Sequence, residues 1–249
     1  MKLSREESKA HNMAQALVNQ EAPLTYEEKV FVLENYHEGA EHMNGVHGAF
    51  FTPFGLARDF AIELSEDKTI DLCAGIGMLA FVAVHFAEVK EITCIEVNPN
   101  YVKVGKKIVP EANWICGSIL DYEVIQSLDK HYQAISNPPF GNIVRVGKKP
   151  GLKYSGYDFE FITIEIASKI SKKGFFIVPQ TSTPFKYSGN AHKQLSESNK
   201  YKKFFDQTGF EMEFGCGIDT GYYINDWKGV KPMCEVVHVD FTNKQPTLF

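Results

Sequence analysis

The chain has 249 residues, of which 44% are hydrophobic and 23% charged, and it carries a formal net charge of −5. This length favours one large α/β domain with ample material for a core. No apolar stretch approaches the ~20 residues of a membrane span, and the amino terminus is too polar for a signal peptide. We therefore expect a cytoplasmic protein without a membrane partner.

Helix and strand signals alternate along the chain and predict an α/β fold with a helical amino-terminal extension. An amphipathic helix over 6–19 precedes a capping box, Thr25-Tyr26-Glu27-Glu28, which opens a second helix through Tyr36. We assign 1–47 to a helical accessory segment and 48–249 to the main domain. Further helices are predicted over 53–64, 78–87 and 158–170, and strands near 69–73, 91–96, 112–116, 132–136, 174–179, 210–217 and 234–241.

Cysteine and histidine spacing gives no sign of a metal. The five cysteines form no Cys-x-x-Cys pair and lie mostly in apolar, strand-like runs, so we interpret them as reduced core residues. His37, His42 and His47 lie in a polar hinge without a carboxylate or thiolate at ligand spacing. The sequence therefore predicts no metal site.

The first two predicted strands are followed by groups that suit a nucleoside cofactor. A β-branched strand over 69–73 runs into Gly75-Ile76-Gly77, where glycines let a ligand approach the backbone closely. The second strand ends in Glu96, about twenty residues past the glycines, where a carboxylate can bind ribose hydroxyls. Strand, glycine turn, helix, strand and acid in this order favour a nucleoside cofactor.

The tetrapeptide Asn137-Pro138-Pro139-Phe140, directly behind the apolar run 132–136, is the most informative motif. An Asn side-chain oxygen and a proline carbonyl, fixed by a stiff Pro-Pro turn, can accept both hydrogens of an exocyclic NH2 group. The ring of Phe140 adds a stacking face. The motif therefore favours a planar base as substrate, with a strand that simply ends in a rigid turn as the alternative.

Taken together, these motifs resemble those of the S-adenosylmethionine-dependent N6-adenine DNA methyltransferases, over about 48–241. The resemblance implies a Rossmann-like class I methyltransferase fold, with a seven-stranded, mostly parallel sheet whose last strand is antiparallel. It also implies S-adenosylmethionine as cofactor. The catalytic residues that it implies are Asn137, Pro138, Pro139 and Phe140.

The same resemblance implies a set of cofactor contacts. Residues 48–53 match the amino-terminal cofactor segment, Asp71 and the glycines match the glycine-rich motif, and Glu96 matches the ribose acid. The family usually has an acid directly after the glycine of the next motif, where this chain has Ser118, with Asp121 close by. The implied cofactor-binding residues are Phe51, Thr52, Pro53, Asp71, Gly75, Gly77, Glu96, Val97, Ser118, Ile119 and Asn137.

The uneven distribution of charge favours a polyanionic partner. Residues 141–203 carry twelve Lys and Arg against four Asp and Glu, beside the tetrapeptide, whereas the whole chain is acidic. A solvated surface with scattered lysines is the alternative. Tyr154 either stacks on a base or pins its loop to the core, and Asp158 is expected to cap the next helix. The predicted substrate contacts are Phe140, Lys148, Lys149, Lys153, Tyr154 and Lys186.

We expect methyl transfer to N6 of adenine in DNA, with relaxed sequence specificity because only 242–249 follow the last predicted strand. An RNA base-amine methyltransferase is the nearest alternative, since the same tetrapeptide serves amines in RNA. A glutamine-methylating enzyme is another, although its tetrapeptide usually ends in Tyr. A non-catalytic nucleic-acid-binding subunit that keeps the fold is a third, and both a homodimer and a separate specificity subunit stay open.

Overall fold

A computed structural model of the chain describes residues 3–37, 50–141, 151–196 and 198–243. Two helices open the chain, α1 (Arg5–Asn19) and α2 (Tyr26–Asn35). Each begins with a capping box, in which the hydroxyl of Ser4 or Thr25 accepts the N–H of a glutamate whose side chain accepts the cap N–H in return. Both predicted helices and the capping box at Thr25 are confirmed.

A sheet of six strands forms the centre of the fold, and a separate hairpin of two short strands follows its fifth strand. The strands are β1 (Thr69–Leu72), β2 (Ile92–Glu96), β3 (Asn113–Cys116), β4 (Gln133–Ser136), β5 (Lys173–Pro179), β6 (Phe185–Lys186), β7 (Gln194–Leu195) and β8 (Cys234–Asp240). The order in the main sheet is β3-β2-β1-β4-β5-β8, and β6 pairs with β7. The first five strands are parallel, whereas β8 is antiparallel to β5. The predicted antiparallel last strand is therefore confirmed.

Helices cover both faces of the sheet, so the parallel strands are apolar along most of their length. These helices are α3 (Phe54–Phe60), α4 (Met78–Phe86), α5 (Pro99–Ile108), α6 (Tyr122–Gln126), α7 (Phe159–Ile170) and α8 (Asn199–Thr208), with 3-10 turns at Ala61–Glu63, Gln180–Ser182 and Thr220–Tyr223. Buried apolar residues of α1 to α5 form one cluster and those of α6 to α8 another. Because side chains alternate along a strand, Phe175 and Phe176 of β5 belong to different clusters.

The amino-terminal helices pack on the same core as the sheet. Ala14 of α1 and Val32 and Leu33 of α2 are buried in the first cluster. Lys107 of α5 donates to the carbonyl of Gln20, at the end of α1, over 2.6 Å. The two helices of the predicted accessory segment are therefore held against α5. Residues 1–2 and 38–47 of that segment lie outside the described residues.

The prediction of seven strands is wrong in one place. Residues 210–217 lie beside the outer edge of β8 but form a single bridge, in which Glu213 and His238 exchange backbone hydrogen bonds of 2.8 and 3.0 Å. Gly215 and Gly217 follow with φ of 61° and 84°, and this left-handed conformation turns the chain away from an extended path. The segment is therefore an edge loop.

The cysteines are only partly core residues, although all five are free thiols. Cys94 and Cys234 are buried and Cys73 is half-buried, but Cys116 and Cys216 are exposed. Their exposure follows from position, because Cys116 ends the edge strand β3 and Cys216 lies in the edge loop.

Among the residues that the structure describes, no group of three His, Cys, Asp or Glu side chains could hold a metal ion. His42 and His47 lie outside those residues. Within the same ranges, no helix is long and apolar enough to cross a membrane.

Candidate functional site

The predicted site residues of β1, β2 and β4 meet at the carboxyl edge of the sheet, where open α/β sheets bind their ligands. The hydroxyl of Ser136, the last residue of β4, donates to the carbonyl of Leu72, the last residue of β1. Asn137 follows Ser136 directly. It borders a small cavity together with Asp71, the glycine turn after β1 and the segment 50–52 that precedes α3.

The side chain of Asn137 has a fixed orientation. Its Nδ2 donates to the carbonyl of Phe50 over 3.1 Å and to the hydroxyl of Thr52 over 2.9 Å. A backbone carbonyl can only accept, so Nδ2 rather than Oδ1 faces Phe50. Oδ1 is then a buried acceptor with no partner among the described residues. Such an acceptor is costly to bury, which indicates that it receives a donor from a ligand.

The tetrapeptide is held at both of its ends. Pro138 is buried, whereas Pro139 and Phe140 are half-buried, and Phe140 packs beside the first core cluster. Gly141 follows with φ of 75°; its N–H donates to the Glu160 carboxylate over 2.9 Å and its carbonyl accepts from the N–H of Phe159 over 3.0 Å. The segment 50–52 therefore fixes Asn137, and the start of α7 fixes the residue after Phe140.

The turn after β1 requires its glycines. Cys73, Gly75 and Gly77 have φ of 63°, 57° and 90°, and the left-handed conformation costs a non-glycine residue about 1–2 kcal/mol. A Cβ added to Gly75 would lie 3.3 Å from the ring of Phe51. Cys73, two residues after Asp71, is a non-glycine residue in this strained conformation. Backbone strain of this kind clusters at functional sites.

Two buried carboxylates flank this turn. Asp71 is 1% exposed, and its Oδ2 has no partner within the described ranges. Burial, followed by the negative charge of Glu96, raises the pKa of Asp71 well above its usual value. Glu96 accepts the N–H of Gly75 over 2.9 Å and that of Asn98 over 2.8 Å. Glu96 thus joins the end of β2 to the glycine turn, and its ribose contact stays a prediction.

The lining of the cavity fits an amine-bearing ligand. The cavity measures about 30 Å³, which accommodates about one small polar group. Asp71 Oδ2 and Asn137 Oδ1, the two acceptors without partners, both belong to residues that border it. Each of the two, an amide oxygen and a carboxyl oxygen, can accept a hydrogen from an amino group.

The remaining predicted cofactor residues lie at the same edge without a contact that assigns them a role. Val97, after β2, is 53% exposed, whereas Ile119 is buried in the second core cluster. The hydroxyl of Ser118 accepts the N–H of Leu120 over 3.2 Å. Asp121 is the N-cap of α6 and accepts the N–H of Glu123 over 3.0 Å. Their part in cofactor binding stays a prediction.

Tyr154 lies in the core and presents no stacking face. It is 2% exposed and packs edge-on against Phe161 and Phe204, with ring centroids 5.3 and 5.7 Å apart. Its hydroxyl donates to Asp158 over 2.6 Å. Asp158 occupies the N-cap position of α7 but makes no side-chain cap bond, so the predicted cap is wrong. Of the two roles open for Tyr154, the structure supports pinning the loop.

The lysines of the basic stretch that the structure describes do not form one surface. Lys172 and Lys173 lie over the ring of Tyr132 at the amino end of β5, which is the edge opposite the tetrapeptide. Lys200 pairs with Glu160 over 3.2 Å. Lys153 is exposed and Lys186 half-buried, and both stay candidates for substrate contact. Lys148 and Lys149 lie outside the described residues.

Two contributions to the site were not predicted, namely the bond from Asn137 to the Phe50 carbonyl and the role of Glu160. Phe50 acts through its backbone carbonyl, which no side-chain pattern indicates. Glu160 has no exposed surface and lies between Phe159 and Phe161 in the otherwise apolar first turn of α7. A charged residue within an apolar helix was therefore the available signal, because buried charges need specific partners.

A larger cavity, of about 530 Å³, lies between α6 and α7. It is lined mainly by apolar residues such as Ile125, Leu128 and Ile166. Ile119 is the only predicted site residue that borders it among those described. We place the site at the smaller cavity, because the acceptors without partners are there.

Comparison with known proteins identifies the type of fold. A family model for the methyltransferase small domain matches residues 56–149, which include the glycine turn, Glu96 and the tetrapeptide. Comparison with curated protein sequences gave no match.

Three solved structures are similar to this chain over nearly all of its length. A Listeria monocytogenes protein described as a candidate class I S-adenosylmethionine-dependent methyltransferase has a TM-score of 0.59 at 14% identity, covering 99% of this chain and 83% of that one. The M protein of the type I restriction enzyme EcoKI has a TM-score of 0.55 at 11% identity, covering 99% and 57%. A chain of a type I R-M system has a TM-score of 0.54 at 14% identity, covering 96% and 49%. This chain thus spans about half the length of the two type I proteins.

These findings establish a Rossmann-like methyltransferase fold with a mostly parallel sheet. The family model and the fold also support S-adenosylmethionine as the cofactor.

Proposed function

We propose that this protein transfers the methyl group of S-adenosylmethionine to N6 of adenine in DNA. The observation that carries the proposal is the Oδ1 atom of Asn137, a buried acceptor without a partner among the described residues, whose direction is fixed through Nδ2. An exocyclic amino group supplies the missing donor. The likeness to two proteins of type I restriction systems supports DNA as the polymer.

Asn137 and Pro138 prepare the amine for attack. In free adenine the N6 lone pair is delocalised into the ring, which makes the amine a poor nucleophile. Oδ1 of Asn137 accepts one amino hydrogen and the carbonyl of Pro138 the other, so the lone pair is directed out of the ring plane. The bound cofactor supplies an electrophilic methyl group on its sulfonium. Asn137 is neutral and not a strong base, so the amine proton leaves to solvent after the methyl has moved.

Catalysis in this scheme comes from positioning and preorganised dipoles. The two bonds made by Nδ2 hold the amide plane before substrate arrives, so little reorganisation accompanies the reaction. Phe140 is half-buried, which leaves part of its ring for stacking on the target base. A base within a duplex has to be flipped out to reach this edge of the sheet.

Cofactor binding in this scheme uses the ends of β1 and β2. Asp71 Oδ2 offers an acceptor for the amino group of the methionine moiety, beside Thr52 and the turn at Gly75. Glu96, the last residue of β2, is the ribose-binding acid in this scheme, because the end of the second strand is where such folds bind ribose hydroxyls.

Sequence preference is expected to be relaxed or very short. The surfaces available for reading bases, around Lys153 and the β6–β7 hairpin, are rich in Lys. Lysine contacts phosphate as a flexible point charge, whereas base reading relies on bidentate Arg, Asn or Gln. Binding should therefore weaken steeply as salt rises. Methylation of random DNA mapped at single-base resolution tests this, and confinement to one motif of about five or more base pairs would contradict it.

The substrate class is tested by supplying tritiated S-adenosylmethionine with DNA, RNA and protein in parallel. We expect label in DNA, recovered as N6-methyladenine and lost in Asn137→Ala. Label in RNA alone would replace DNA by the RNA alternative, and label in glutamine would replace both. Cofactor binding by calorimetry without transfer to any polymer would identify a non-catalytic protein.

A further inference from the structure

Helix α7 carries two buried glutamates, one that holds the backbone just after the tetrapeptide and one that holds it at residues 153 and 154. Glu160 is 0% exposed and Glu165 is 4% exposed. Glu165 accepts the N–H groups of Lys153 and Tyr154 over 2.6 and 2.9 Å. Glu160 instead contacts Gly141, directly after Phe140. A buried carboxylate is stable only when its oxygens are hydrogen-bonded, so both contacts constrain the chain strongly.

Glu160 joins three elements at the candidate site. Its Oε2 accepts the N–H of Gly141 over 2.9 Å. Its Oε1 accepts the hydroxyl of Ser182 over 2.6 Å and the ammonium of Lys200 over 3.2 Å. Gly141 follows β4, Ser182 follows β5 and Lys200 belongs to α8. One side chain therefore fixes the segments that leave two neighbouring strands relative to each other.

The contact at Gly141 bears on Phe140 because a peptide unit is planar. Fixing the Gly141 N–H fixes the plane that also contains the Phe140 carbonyl and both flanking Cα atoms, and therefore the base of the Phe140 side chain. Only a carboxylate can accept an N–H, an O–H and an ammonium at once. Glutamine has a single acceptor oxygen, so its NH2 would face either the Gly141 N–H or the Lys200 ammonium, neither of which can accept.

We propose that Glu160, with Lys200 as counter-ion, is a positioning residue that holds the Phe140–Gly141 peptide, and with it the face on which the target base stacks. The inference rests on the proposed function in one respect, namely that Phe140 stacks on a base. It does not give Glu160 a contact with substrate or cofactor. Its effect should appear in turnover and in the local stability of the turn, without an effect on cofactor affinity.

Glu160→Gln and the matched control Glu165→Gln test this in the full chain. Both variants replace a buried α7 carboxylate by its isosteric amide. In Glu160→Gln we expect amide exchange at Gly141, followed by NMR, to be about tenfold faster or more. Exchange at Lys153 and Tyr154 should be unchanged in that variant. In Glu165→Gln, exchange should be faster at Lys153 and Tyr154 and unchanged at Gly141. At saturating cofactor, kcat should fall about tenfold in Glu160→Gln only, with the calorimetric Kd for S-adenosylmethionine unchanged in both variants.

Each outcome decides the proposal. Unchanged exchange at Gly141, unchanged kcat, or an equal loss of kcat in the two variants would overturn it. If Glu160→Gln does not fold, Ser182→Ala removes one donor and keeps the carboxylate; it should alter exchange and kcat in the same direction by a smaller factor, and no change would overturn the proposal. The exchange measurement needs no substrate. A wild-type chain that methylates no base would therefore refute the proposed function while the exchange data still report on Glu160.

Discussion

Replacing Asn137 by Ala has three effects whose sizes can be separated. The two hydrogen bonds donated by Nδ2, at 3.1 and 2.9 Å, contribute about 1 kcal/mol each to stability. Loss of the Oδ1 atom removes a buried acceptor without a partner and offsets part of that. We expect a net destabilisation of about 1–2 kcal/mol. In the reaction, loss of a preorganised group costs about 3 kcal/mol, or about a hundredfold in kcat.

The assay is single-turnover methylation at saturating cofactor, with thermal unfolding and calorimetry on the same preparations. Cofactor affinity should stay within about threefold, because Asn137 acts mainly on the transition state. Thr52→Val is a graded companion: it removes one of the two acceptors that orient Nδ2 and leaves Oδ1 in place, so kcat should fall about fivefold. Near-normal methylation by Asn137→Ala would refute the mechanism. A larger loss in Thr52→Val than in Asn137→Ala would refute the orienting role.

Three further predictions follow from the same edge of the sheet. Phe140→Ala should impair methylation of duplex more than of single strands, because stacking contributes about 1–3 kcal/mol per base toward flipping; unchanged 2-aminopurine fluorescence at the target position would reject that role. Glu96→Ala should raise the calorimetric Kd for S-adenosylmethionine about tenfold, since hydrogen bonds to a charged group contribute about 1.5–3 kcal/mol, and an unaltered Kd would count against its placement. Burial raises the pKa of Asp71 in the folded protein. Its protonated carboxyl therefore contributes fully to the free energy of unfolding below about pH 4, and this contribution is lost as the pH rises through the pKa of Asp71 in the folded state. Asp71→Asn should therefore raise Tm more at pH 8 than at pH 4, and an equal change at both pH values would contradict this.

Local signals predicted most of the fold. The capping box at Thr25 satisfies its own backbone donors, and an apolar run such as β2 matches a strand buried on both faces, so neither depends on distant residues. The segment 210–217 was mispredicted because its composition is strand-like, while its pairing depends on an edge position. There it meets β8 at Glu213 alone before two glycines in the left-handed conformation divert it.

The candidate site likewise has features that the sequence predicted and features that it could not predict. The glycine turn, Glu96 and the tetrapeptide are short motifs at the ends of strands, so the sequence located them. The orientation of Asn137 could not be predicted, because Phe50 and Thr52 lie 87 and 85 residues earlier in the chain. Tyr154 was ambiguous for another reason, since a tyrosine serves equally as a surface stacking group or as a core residue with one satisfied hydroxyl.

In the proposed mechanism, different residues determine the chemistry and the choice between DNA and RNA. The target is bound through its amino group and its flat face, by Asn137 Oδ1, the Pro138 carbonyl and the ring of Phe140. Adenine has both features in DNA and in RNA. Discrimination between the two polymers requires contacts with the 2′-hydroxyl or with helix shape, which lie outside the base pocket. Substitutions at Lys153 or Lys186 should therefore alter polymer affinity and its salt dependence, whereas substitutions at Asn137 should alter turnover on either polymer by the same factor.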